Sequence, residues 1–199
     1  MSAVKLAIVY YSATGTLDAM ARHAAEAGEK AGAEVRVRRV TRQASQGDRR
    51  ATDSQAAQAE AETAPATPDD IVWADAVVFG SPTRYGNIAG QLKTFIDSLG
   101  PQWGQGLLAD KVYAGFTASQ TLHGGQESTL LALYNTIHHF GGIVVAPGYT
   151  DPTKFVDGNP YGASHVTGPD NDAELGEADI AALHHLATRV VTVAERLAG

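Results

Sequence analysis

The sequence predicts an α/β fold, a parallel sheet of five strands with helices on both faces. Three observations predict it. Apolar runs of strand length recur along the 199 residues. Helical stripes with apolar steps of three and four fall between them. A chain of this length hides roughly 70% of its open-chain surface on folding, so it needs no disulfide or metal staple.

Val4 to Tyr10 is apolar except for Lys5, as a strand buried on both faces should be. Leu17, Met20, Ala24, Ala27 and Ala31 then mark one helix face, and Gly32 is a fitting stop. Glu34 to Val40 alternates charged and apolar residues, which predicts a strand nearer the sheet edge. Residues 41–70 contain no Val, Ile, Leu, Met, Phe, Tyr or Trp. That stretch reads as an exposed polar insertion in a single domain, with a short Ala/Gln/Glu helix near 53–62. Ala76 to Gly80 is the third strand, followed by a helical stripe of Ile88, Leu92, Phe95, Ile96 and Leu99. Lys111 to Thr117 is the fourth strand, Gln126 to Phe140 a helix, and Ile143 to Pro147 the fifth strand. A Gly/Pro/Asn-rich stretch at 148–172 precedes the last helix, whose apolar face is Leu175, Ile180, Leu183, Leu186, Val190, Val193 and Leu197.

Composition narrows the chemistry. Without cysteine there is no disulfide, thiolate metal site, iron–sulfur cluster or cysteine nucleophile. The same absence fits a reducing cytoplasm. A net charge of −7 argues against nucleic-acid binding. No apolar run approaches the roughly 18 residues of a membrane span, and MSAVKLAIVYYS reads as a strand rather than a leader. No HExxH motif exists and no catalytic metal is expected. His23, His184 and His185 read as surface or packing residues.

In sheets of this kind ligands sit beyond the carboxyl ends of the strands. Three loops there have unusual composition. Ser12-Ala13-Thr14-Gly15-Thr16 offers small residues, three hydroxyls and a helix N-terminus, which suit a phosphate; an ordinary hydroxyl-capped helix start is the alternative. It is neither GxxxxGK[ST] nor GxGxxG. Gly80-Ser81-Pro82-Thr83-Arg84-Tyr85-Gly86-Asn87 combines a stiff turn, a flat ring and a guanidinium fork. It suits a flat, polar-edged ring system, with Asn87 capping a helix near Ile88; a solvated surface turn is the alternative. Thr117 to Gly125 is again rich in glycine and hydroxyls, and reads as a ligand edge or as flexible linkage.

These blocks, with Trp103 after a Gly-Pro turn, HGGQEST at 123–129, the His138-His139 pair and NPYGAS at 159–164, resemble the WrbA family of flavodoxin-like NAD(P)H:quinone oxidoreductases along nearly the whole chain. The resemblance implies a doubly wound sheet in the order 2-1-3-4-5 and one FMN per subunit. Ser12, Ala13, Thr14, Gly15, Thr16 and Leu17 would hold its phosphate. Pro82, Thr83, Arg84, Tyr85, Gly86 and Asn87 would contact its ring system. Ser119, Gln120 and Thr121 would line the ribityl and pyrimidine side. Trp103 and Thr14 would border the substrate, and His139 would reach the flavin of a neighbouring subunit in a homotetramer built as a dimer of dimers.

Three departures accompany the resemblance. Thr14 stands where the family often carries Tyr. The 117–125 loop is a residue longer, around Leu122 and His123. Phe140 separates His139 from Gly141, so either His139 or Phe140 takes the place of the family's histidine. The implied activity is two-electron, ping-pong reduction of a quinone by NAD(P)H, with the flavin carrying the chemistry and no catalytic side chain. A one-electron flavodoxin-type carrier, an FMN-containing partner-binding protein and a domain that has lost its cofactor are the alternatives.

Overall fold

A computed structural model describes residues 2–41 and 61–199. Residues 42–60, most of the predicted insertion and of its helix at 53–62, lie outside that description. The elements are β1 (Lys5–Tyr10), α1 (Thr16–Lys30), β2 (Glu34–Arg39), α2 (Pro68–Trp73), β3 (Ala76–Arg84), β4 (Asn87–Ile88), α3 (Gly90–Asp97), α4 (Gly100–Gly104), β5 (Val112–Ser119), α5 (Gln126–Phe140), β6 (Ile143–Val144), α6 (Lys154–Asp157), β7 (Ala163–Val166) and α7 (Glu177–Ala198).

The main ladder runs β2-β1-β3-β5-β6, with β7 also on β5 and β4 on β3. All pairings are parallel except β3 with β4. The five predicted lanes are therefore present in the predicted order, built from six strand segments, with β4 added as a hairpin arm on β3. The fifth lane is the one that differs. β6 pairs with Val112 and Tyr113, the chain then leaves the sheet, and β7 returns to pair with Phe116 to Ser119 on the same edge. The predicted strand 143–147 stops early because Pro147 has no N–H to continue the ladder; the last bond is Val145 N–H to Tyr113 O, at 2.8 Å.

Alternation along each central strand divides the core in two. Leu6, Ile8 and Tyr10 of β1 face α1 and α7, while Ala7, Val9 and the following Tyr11 face α3 and α5. β3 splits likewise, Val78 to the first side and Val77 and Phe79 to the second. Each fully buried large aliphatic or aromatic side chain contributes about 1.5–3 kcal/mol, which is why these strands read as unbroken apolar runs.

β2 is an edge strand, as its alternation predicts. Val35 and Val37 pack on the α1 side. On the other face, Arg38 Nε donates to Asp70 Oδ1 at 2.9 Å and the Arg36 guanidinium lies 3.8 Å from the Trp73 ring centre. This corrects the reading of 41–70 as exposed throughout. Ala64 O accepts from Arg39 N–H and Ala66 N–H donates to Arg39 O, so this segment flanks the sheet. Thr67 and Asp70 form a capping box that starts α2, and Asp70 is buried.

Two helical readings also change. Asn87 and Ile88 belong to a hairpin rather than to a helix start, and α3 begins at Gly90. On α7 the buried stripe is Ala182, Leu183, Leu186, Ala187, Val190, Val191 and Ala194, whereas Leu197 is exposed. Alanines on α7 and on α1 let the two helices pack closely, so small residues take the inner positions that a size-weighted reading gives to Val193 and Leu197.

Candidate functional site

The carboxyl ends of β1, β3 and β5 converge on an open cleft of about 460 Å³. Its walls are Ala13, Thr14, Thr16 and Leu17 from the first loop, Pro82 to Tyr85 from the second, and Ala118 to Thr121 with Gly124 from the third. Thr167 and Asn171 close the fourth side. The size suits a small organic cofactor.

The first loop is anchored from below. Ser12 is fully buried; its Oγ accepts from Gly15 N–H at 3.1 Å and its carbonyl accepts from Arg39 Nη2 at 2.8 Å. Arg39 Nε also lies 3.3 Å from Asp18 Oδ1, which accepts from the Tyr10 hydroxyl at 2.8 Å. Burial, then the adjacent Asp18 carboxylate, pushes the Tyr10 phenol well above its ordinary pKa, so it remains a donor. Gly15 at φ 101° turns the chain into α1 with no side-chain cap. Among the described residues, nothing accepts from the amides of Thr16 and Leu17. Two free first-turn donors under a positive helix end suit an anion.

The second loop is a hairpin. Thr83 pairs with Ile88 and Arg84 with Asn87, and the turn places both Tyr85 (φ 55°) and Gly86 (φ 75°) in the left-handed region. For a tyrosine this backbone is unusual. Its ring is fully exposed beside the cleft. Arg84 is also exposed, its Nη1 donating to Thr83 O at 3.1 Å. Asn87 Oδ1 accepts from Ile88 N–H at 2.8 Å, so it closes the hairpin instead of capping a helix.

The third loop stacks against the second. A Cβ on Gly125 would stand 2.8 Å from Gly86 Cα, and one on Gly86 would stand 2.7 Å from Ser128 Oγ. These two glycines allow the two backbones to touch. Thr129 Oγ1 donates to Thr83 Oγ1 at 2.8 Å and so joins α5 to the hairpin. Ser119 Oγ donates to Thr121 O at 2.7 Å, and Gln120 Nε2 donates to Pro169 O at 2.5 Å.

The candidate residues thus separate by position. Ala13, Thr14, Thr16, Leu17, Pro82, Thr83, Arg84, Tyr85, Ser119, Gln120 and Thr121 share one cleft. Ser12 lies beneath it, Gly15 lines a neighbouring groove, and Gly86 and Asn87 shape the hairpin. Trp103 and His139 come together, Trp103 Nε1 donating to His139 O at 2.8 Å, but neither lines the cleft. They lie near the start of β5, where Ile143 pairs with Val112. β5 itself separates that end from the cleft by roughly 23 Å. Of the two residues that compete for the histidine's place, His139 is exposed while Phe140 packs on Tyr113 with ring centres 6.1 Å apart.

Sequence reasoning missed Thr167 and Asn171. Thr167 N–H donates to Ser119 O at 2.8 Å, and Asn171 sits at φ 59°. The turn composition Gly168-Pro169-Asp170-Asn171 was the available signal.

Comparison with known proteins finds relatives along nearly the whole chain. Residues 5–152 match the family described as NADPH-dependent FMN reductase. The chain is 48% identical over 199 residues to an NAD(P)H dehydrogenase (quinone) of Deinococcus radiodurans, covering 98% of each chain. It is 40% identical over 200 residues to a protein of the same name from Sinorhizobium fredii, again covering 98% of each. A solved flavodoxin, WrbA-like protein from Agrobacterium tumefaciens superposes with a TM-score of 0.70 at 24% identity, over 98% of this chain and 99% of that one, which speaks to the fold. The chain belongs to the NADPH-dependent FMN reductase family and is a flavodoxin-like, FMN-dependent oxidoreductase.

Proposed function

We propose that the chain is an NAD(P)H:quinone oxidoreductase, working as a single domain and reducing quinones to hydroquinones by two-electron, ping-pong turnover. The observation that carries this is the cleft, where free amides, hydroxyls and an exposed aromatic ring meet at one rim of the sheet. The relatives named NAD(P)H dehydrogenase (quinone) support the substrate class.

The residues fit FMN. The unpaired Thr16 and Leu17 amides, with the Thr14 and Thr16 hydroxyls, are donors for a phosphate that carries no lysine partner. Tyr85, fully exposed on a strained backbone, is a face for a ring system to cover. Ser119, Gln120 and Thr121 present the opposite wall. A bound flavin supplies two-electron transfer from a nicotinamide to a quinone. The chain's part is to orient the ring and to balance charge, for which Arg84 is the exposed cation in the cleft wall. Trp103 and His139, remote from the cleft of their own chain, serve the cleft of a neighbouring copy in a homotetramer.

The test is spectroscopic. The purified protein should be yellow, and anaerobic NADH or NADPH should bleach the bound flavin before quinone restores it. Arg84→Ala should weaken FMN retention or slow bleaching at least tenfold. A protein that takes up no FMN, or whose flavin ignores both nucleotides, refutes the reading.

A further inference from the structure

We propose that His23, Glu26 and His184 form a binding site for a divalent cation of the zinc class, which ties α1 to α7. His23 and Glu26 share a helix face at a spacing of three. His184 reaches them only because α1 and α7 pack closely through buried alanines, among them Ala21, Ala24, Ala182 and Ala187. The three side chains offer one ligand atom each, all within 4.8 Å of one another. His23 Nδ1 lies 3.5 Å from Glu26 Oε2, and the two imidazole rings are 5.9 Å apart at their centres.

Hydrogen bonding does not account for the arrangement. His23 Nδ1 and His184 Nε2 are both sealed from solvent, and neither makes a hydrogen bond. A buried nitrogen left unmet is disfavoured, and here two of them occur together beside a carboxylate. Zinc bound to nitrogen and oxygen at about 2.0–2.2 Å needs ligand atoms roughly 3.4 Å apart. The His23–Glu26 distance already meets that, and the half-exposed Glu26 carboxylate can swing to close the remaining gap. Its exposure also leaves a fourth corner open to water. Two imidazoles and one carboxylate select zinc, nickel or copper over magnesium or calcium. Burial, then the nearby Lys30 ammonium, holds His184 below its ordinary pKa. The same Lys30 charge limits the affinity. None of the three residues lines the cleft between the loops.

The experiment uses the untagged, FMN-loaded chain, stripped with a chelator and titrated with Zn²⁺ against a chromophoric zinc indicator. One equivalent should bind per chain. His23→Ala and His184→Ala should each weaken binding at least tenfold, and Glu26→Gln, at an exposed position, should weaken it severalfold without touching the fold. His185→Ala, whose ring meets Thr150 and Asp151 instead, should leave binding unchanged. Zinc-edge absorption should report two imidazoles in the first shell. The proposal is overturned by a stoichiometry well below one, by wild-type affinity in both histidine variants, or by Mg²⁺ binding as tightly as Zn²⁺.

Discussion

Gly162→Ala puts the assembly of the fifth lane to the test. Gly162 precedes β7 where the returning chain crosses β5, and a Cβ there would stand 2.2 Å from Gly115 O and 2.9 Å from Leu130 Cδ1. The carbonyl is backbone inside the sheet and cannot rotate away. Reaching an ordinary contact requires β7 to shift by about 1 Å. That shift strains the register of Ala163 on Phe116 and of Ser164 on Thr117. Two weakened ladder bonds at about 1 kcal/mol each, with overpacking against Leu130 of at least about 1 kcal/mol, give a loss near 3 kcal/mol. With a urea dependence of about 2 kcal/mol/M, the unfolding midpoint should fall by about 1.5 M. FMN affinity should fall with it, because Thr167 follows β7 directly and its amide is tied to Ser119. Gly104→Ala is the control, since its Cβ meets nothing within 4 Å and its φ is not positive. A midpoint shift for Gly162→Ala no larger than the control's would show that the crossing tolerates a side chain and that the packing argument is wrong.

Three further outcomes are expected. Arg39→Met should cost roughly 3–5 kcal/mol in urea denaturation, because it leaves Asp18 buried and releases the Ser12 carbonyl; a loss below about 1 kcal/mol would remove Arg39 as the anchor of the first loop. His165 makes a 2.9 Å contact to Asp179 with one ring nitrogen and a 2.9 Å contact to Ala173 O with the other. The Asp179 hydrogen bond, opposed by burial, raises the His165 pKa above 6.5. For Asp179, hydrogen bonds from His165 and Gly176 outweigh burial and hold its pKa below 3.8. The histidine's contribution is therefore complete below about pH 6.5 and lost as pH rises through its folded pKa, while the aspartate's is lost on acidification through its own. Urea midpoints across pH should show the alkaline decline in the wild type, and His165→Asn should flatten it; an unflattened profile excludes His165. Trp103→Phe removes the bond to His139 O at an exposed position, so stability should change by less than about 1 kcal/mol while the quinone KM rises severalfold at constant kcat. An unchanged KM would take Trp103 out of substrate binding.

Much of the fold was legible because β1, β3 and β5 are buried on both faces and leave unbroken apolar runs, such as Leu6 to Tyr10. The cleft loops were legible for a different reason, since free amides and touching backbones demand small residues or glycine. Other features were hidden in the pairing of distant residues. Nothing local distinguishes Asn87 as a hairpin residue from Asn87 as a helix cap; the pairing of Arg84 with Asn87 decides it. Asp70 looked like part of a polar stretch because its partners, Arg36 and Arg38, lie more than 30 positions earlier. The second half of the fifth lane, Ala163 to Val166, is a four-residue strand inside a Gly/Pro-rich segment, too short to produce a period. His23, Glu26 and His184 come together only through helix packing.

The divided outer lane also governs how the folded chain meets its own kind. A long, flat border strand offers a row of unmet amides and carbonyls on which a second molecule can grow. Here that border is two short ladders of two and four residues, parted by an excursion bearing three prolines and the buried Lys154–Asp157 ion pair. Neither piece is long enough to template a visiting strand. The opposite border carries the arginines of β2 and is partly flanked by Ala64 to Ala66. Both sheet rims of the described residues are thereby poor templates for edge-to-edge pairing.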